Sequence, residues 1–202
     1  MKTKLSSQQI KNYRQDGCLI VRDFLDDRER EGLIEAINIA VATMGKQKIA
    51  GSNARDFPEK DGFYDKVFLQ RLNLWKISPF IHDMFTSGPL GEMLGKLARY
   101  DNTDLDENMS GLFDVYPEFT GIEPVIGEMK AGDAGFHNGL TAHAAGANMT
   151  PFPRRAMTCA FMPDGSVYNG QQNILSEQYI AGLNIGNPLQ DDKQNPLVGA
   201  VR

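Results

Sequence analysis

The sequence predicts a single domain that is helical in its first half and strand-rich in its second. Two observations carry that division. Leu33, Ile34, Ile37, Val41 and Met44 recur at the spacing of one helix face. From Val125 onward the apolar residues alternate in short runs broken by turn residues, as at Val125–Lys130 and at Arg155–Met162, the latter closed by Pro163-Asp164-Gly165. The 202 residues suit one domain, divided into a helical part at 1–100 and a strand-bearing part at 101–202.

The elements follow in order. Ser6 with Gln9 makes a capping box, Ile10 and Tyr13 share one helical face, and Gly17 can end the helix in the left-handed conformation. Cys18–Val21 is a short β-prone run. Asp26 with Glu29 opens a second helix, whose apolar stripe is a core face. Residues 46–66 are polar, contain Gly51, Pro58 and Gly62, and read as a long loop. Val67–Trp75 resumes an apolar pattern. Pro79 and Pro89 bracket a helix at about Phe80–Phe85, and a further helix runs over Pro89–Tyr100 with Leu90, Met93, Leu94 and Leu97 on one side. The acidic stretch 101–107 lacks the glycine and closing glutamate of an EF-hand and reads as a solvated loop. The turn Ala131-Gly132-Asp133 precedes a strand starting at Ala134. The tail from Asn169 is rich in Asn, Gln, Gly and Pro and reads as irregular, a lid or an extended arm.

Composition narrows the function. Hydrophobic residues make up 41%, enough for a core and too many for a disordered chain. A net charge of -5 and a pI near 5.2 argue against nucleic-acid binding, which needs a basic surface. A small-molecule substrate is the expected partner. Cys18 and Cys159, the two cysteines, match no metal or redox spacing and read as buried free thiols in a reducing compartment. No apolar run approaches the roughly 20 residues of a membrane span, and the start carries no apolar signal core. The expectation is a soluble, cytoplasmic protein.

The chemistry concentrates in Gly132-Asp-Ala-Gly-Phe-His137-Asn-Gly-Leu-Thr-Ala-His143-Ala-Ala-Gly-Ala-Asn148, followed by Pro153-Arg154-Arg155. Two of the three histidines lie here, and Arg154 stands eleven positions after His143. A non-haem Fe(II) site uses two histidines and a carboxylate on one face of the metal. Its 2-oxoglutarate cosubstrate needs a cation able to grip the far carboxylate with two parallel hydrogen bonds, which arginine offers and lysine does not. In a strand starting here, Arg154 shares a face with Ala156, Thr158 and Ala160, small residues that suit a lined cavity. Arg155 shares one with Met157, Cys159 and Phe161, which suits packing.

This stretch resembles the distal-histidine and arginine motif of the phytanoyl-CoA dioxygenase-like family of Fe(II)/2-oxoglutarate oxygenases. Leu5–Ile10 through Asp16–Val21 is similar to the family's opening, and Val67–Trp75 and Pro89–Gly95 are similar to later segments. The resemblance implies a mainly β fold, a double-stranded β-helix (a cupin-like jelly roll) with the N-terminal helices packed on it. It implies that His143 is a metal ligand, that Arg154 binds 2-oxoglutarate, that Asn148 holds the family's Asn position, and that His137 is not a ligand. The implied activity is hydroxylation of a small molecule with Fe(II) and 2-oxoglutarate, giving succinate and CO2.

One part of the family pattern has no counterpart. Its first two ligands form a His-x-Asp motif, and the histidines here are 82, 137 and 143, with His82-Asp83 adjacent and ahead of the strands. The later Pro-Gly-Ser-His segment is missing as well, so the central strands of the roll are not represented. Either a central segment belongs between Tyr100 and Asp101 and is absent from these residues, or the chain is a truncated form. Folding requires a core between the helices and the late strands, which favours the first. The rival to catalysis is a jelly-roll binding protein that has lost the iron.

Overall fold

The computed structural model describes residues 1–50, 70–97, 112–143, 148–171 and 177–199. The chain begins with helix α1 (Ser7–Asp16), whose capping box is formed as expected: Gln9 N–H donates to Ser6 Oγ at 3.2 Å and Ser6 N–H to the Gln9 side chain at 2.9 Å. Gly17 closes it at φ 73, and strand β1 (Cys18–Val21) follows directly. Helix α2 (Asp27–Met44) opens on the Asp26/Glu29 box. A 3-10 turn (Leu74–Lys76) leads into α3 (Pro79–Phe85), capped by Ser78, and α4 (Gly88–Leu97). After α5 (Leu112–Val115) and a 3-10 turn (Pro117–Gly121) comes strand β2 (Ala134–His137), and α6 (Glu177–Ile180) lies in the tail. The 51–66 part of the expected loop, the end of the helix at 98–100 and the acidic stretch lie outside the described residues.

The core has two adjoining parts. In the first, Leu33, Ala40 and Met44 of α2 meet Leu74 and Ile81, with Met157 packed against them. In the second, Val21, Phe24, Leu90 and Met93 are buried together under Leu19 and Phe136. Leu25 and Phe85 touch both parts and join them. The α2 stripe is narrower than its sequence suggests, since Ile34 is 41% exposed.

β1 and β2 form an antiparallel pair, Cys18 opposite His137 and Val21 opposite Ala134. Alternation sends Leu19, Val21, Ala134 and Phe136 toward the helices and leaves Cys18, Ile20 and His137 on the other face. Two strands alone are marginal in water, and this pair is held by its packed inner face.

This is the one two-stranded sheet among the described residues. The expected strands at Val125–Lys130 and Arg155–Met162 are not formed: both segments run without ladder partners, and Val125 and Ile126 are 95% and 84% exposed. A strand exists by pairing, and among the described residues no third strand is alongside to accept these backbones. The turns around them are present: Asp133 N–H donates to Lys130 O at 3.0 Å, Ser166 N–H to Pro163 O at 3.3 Å, and Gly132 and Gly165 have φ of 100 and 80. The thiols also differ from expectation in burial: the free Cys18 and Cys159 are exposed rather than buried. Cys18 falls on the face of the pair turned away from the helices. The tail is irregular but pinned. Tyr168 is buried, and Gly199 lies so close to Gly91 of α4 that a Cβ on Gly91 would stand 2.7 Å from its Cα. No described helix is long and apolar enough to cross a membrane.

Asp133 ties the two strands at one end. Its carboxylate accepts from Lys130 N–H at 2.9 Å, Arg22 Nη1 at 2.8 Å and Asp23 N–H at 2.9 Å. The Lys130 bond first, then the Arg22 and Asp23 bonds, hold its pKa down at about 2. The lowered value means that its contribution to stability is complete above the unfolded aspartate value of about 3.9 and is lost as pH falls through about 2. Asp133→Asn should therefore flatten the acid limb of melting temperature against pH between about 4 and 2. An equally steep limb in the variant, followed by circular dichroism, would contradict this role.

Candidate functional site

The site is built where β2 ends. Gly17, at the α1–β1 junction, has φ 73, and its carbonyl accepts from Asn138 N–H at 2.9 Å. The Thr141 hydroxyl lies 2.9 Å from the same carbonyl and 2.9 Å from Asn138 Oδ1, so one proton serves two acceptors. A Cβ at position 17 would meet Thr141 Oγ1 at 2.7 Å, which leaves glycine as the residue that fits. Leu140 N–H donates to Asn138 Oδ1 at 3.0 Å, and Thr141 N–H to Asn138 O at 3.2 Å. These bonds turn the chain back immediately after His137.

That reversal brings His143 against His137. The ring centroids are 4.0 Å apart and the planes are inclined by 40°. His143 Nδ1 lies 2.8 Å from Thr141 O, and His137 Nδ1 lies 3.3 Å from Asn138 O. A carbonyl can only accept, so in the neutral ring these contacts suit a proton on Nδ1 and a lone pair on Nε2. Both rings are exposed.

Arg154 follows a turn stapled by Asn148. Asn148 Nδ2 donates to Phe152 O at 2.7 Å, while its Oδ1 accepts from Thr150 N–H at 3.2 Å and Thr150 Oγ1 at 2.8 Å. Asn148 thus shapes the entry to Pro153-Arg154, an Asx-turn role visible in the residue type. Arg154 and Arg155 are exposed, and Met157 is half-buried against the first core cluster. Met157 packs on the helices, but with no strand formed here the two-residue alternation does not carry Arg155 with it. Cys159 and Phe161 stay exposed.

The sequence-identified residues are thus placed unequally. His143 is paired with His137, to which the family resemblance gives no ligand role. Among the described residues no group of three His, Cys, Asp or Glu lies together as a metal site. His82 stays apart on α3, 3.0 Å from Asp83 Oδ1 and near the Trp75 ring, beside a shallow recess whose Lys76 ammonium is lowered by desolvation.

The phytanoyl-CoA dioxygenase (PhyH) family model matches residues 102–156, the stretch that includes His137, His143, Asn148 and Arg154. No curated protein and no solved structure matches the chain.

Proposed function

We propose, on the match of residues 102–156 to the phytanoyl-CoA dioxygenase family model, that the protein is an Fe(II)- and 2-oxoglutarate-dependent dioxygenase that hydroxylates a small molecule, with succinate and CO2 as co-products. The single observation that carries this reading is that the matched stretch contains both His143 and Arg154. In it His143 is a metal ligand through Nε2, and Arg154 is the cation for the far carboxylate of 2-oxoglutarate. A jelly roll, with β2 as one of its strands, is the architecture that the reading calls for.

The donor set is incomplete. A facial triad needs a second histidine and a carboxylate in the His-x-Asp arrangement, and the sequence has none. One family ligand is present, and the described residues do not complete the site. That favours a second reading, a non-catalytic binding protein built on the same family fold.

Succinate formation separates the two. The purified protein, in air with Fe(II), ascorbate and 2-oxoglutarate, should produce succinate above a protein-free control. Its intact mass should be recorded beside the 22.4 kDa of this chain, since a heavier protein would carry a further segment. Succinate at the control level would remove the oxygenase reading and leave the binding protein.

A further inference from the structure

We propose that His137 and His143 form a two-imidazole chelate for a divalent transition metal of the copper, nickel or zinc type, at the exposed end of the β1–β2 pair. Three observations converge on it. The rings stand 4.0 Å apart, centroid to centroid. Each Nδ1 is turned onto a backbone carbonyl, Thr141 O for His143 and Asn138 O for His137. That is the outer contact that metal-binding histidines use to fix the ring and present Nε2. Among the described residues neither Nε2 has a hydrogen-bond partner.

The geometry suits a metal. Two imidazole nitrogens bound at about 2.0–2.1 Å on adjacent positions stand roughly 3 Å apart. The two rings, exposed and 4.0 Å apart between centroids, are close enough for one ion to touch both. The pair is preorganised by Gly17, Asn138 and Thr141, whose hydrogen bonds set the reversal between the two histidines. Imidazole donors suit copper, zinc, nickel and iron, and copper binds tightest of the divalent ions. Cys18 pairs with His137 across the sheet, but no third His, Cys, Asp or Glu joins the pair among the described residues. The remaining positions on the metal are therefore left to water or a ligand.

This site does not rest on the oxygenase reading, because the family resemblance gives His137 no ligand role. The probe is Cu2+ alone, without 2-oxoglutarate, titrated into the full chain and its variants, with electron paramagnetic resonance at one equivalent. The unmodified protein should bind one Cu2+ with splitting from two imidazole nitrogens. His137→Ala and His143→Ala should each weaken binding by at least about tenfold, since even an outer partner of a ligand is worth that much. The His137→Ala spectrum should show one nitrogen, and His82→Ala should match the unmodified protein. Unchanged affinity in His137→Ala, splitting from a single nitrogen in the unmodified protein, or no binding would each overturn the proposal. The spectrum of the unmodified protein decides even if a variant folds poorly. The two readings fail separately: succinate with a silent His137 sinks the pair alone, and Cu2+ held by both histidines without succinate sinks the oxygenase alone.

Discussion

Replacing Arg154 with leucine is expected to raise the concentration of 2-oxoglutarate needed for half-saturation by roughly one to three orders of magnitude. A bidentate arginine–carboxylate contact in a partly dry pocket is worth a few kcal/mol, and about 1.4 kcal/mol makes one decade. Metal affinity should stay nearly constant, because a guanidinium offers no lone pair to a metal. Arg154→Lys should recover only part of the loss, since lysine keeps the charge without the fork. Arg155→Leu is the control. Arg155 is exposed, so its replacement should leave cosubstrate affinity nearly unchanged. Sensitivity at Arg155 with silence at Arg154 would reverse this assignment.

How far the fold could be read from the sequence depended on how local each element's causes are. The capping boxes at Ser6 and Asp26, the turn at Gly17 and the Ser78 cap each act within four residues, and the elements they bound appear where expected. β1 formed over the whole of Cys18–Val21 because β2 is there to pair with it. Val125–Lys130 and Arg155–Met162 carry the same alternating pattern and form no ladder. Alternation describes a strand's faces, but pairing depends on a partner elsewhere in the chain, and among the described residues these segments have none alongside.

The site divides in the same way. His143 and Arg154 stood out through their spacing and its likeness to a family motif, and both lie within residues 102–156, which the family model matches. The contact between His137 and His143 was not legible, because it depends on the Cys18–His137 register and on bonds from Asn138 and Thr141 to Gly17, residues more than a hundred positions away. Asn148 stood in the sequence only as a position in the motif, yet its side chain organises the turn before Arg154 through Thr150 and Phe152.

The most direct test is an anaerobic titration of Fe(II) in the presence of 2-oxoglutarate, for the unmodified protein and for His143→Ala. Iron chelated by 2-oxoglutarate in such a site gives a weak visible charge-transfer band. Protein that carries a His-x-Asp segment should develop this band and its His143→Ala variant should not, because removing one of so few ligands leaves a remnant that holds the metal poorly. The variant's melting temperature should change little, since His143 is exposed and belongs to neither core cluster. A band of equal intensity in His143→Ala, or no band in protein that carries a His-x-Asp segment, would contradict the assignment of residues 102–156 to an iron and 2-oxoglutarate site.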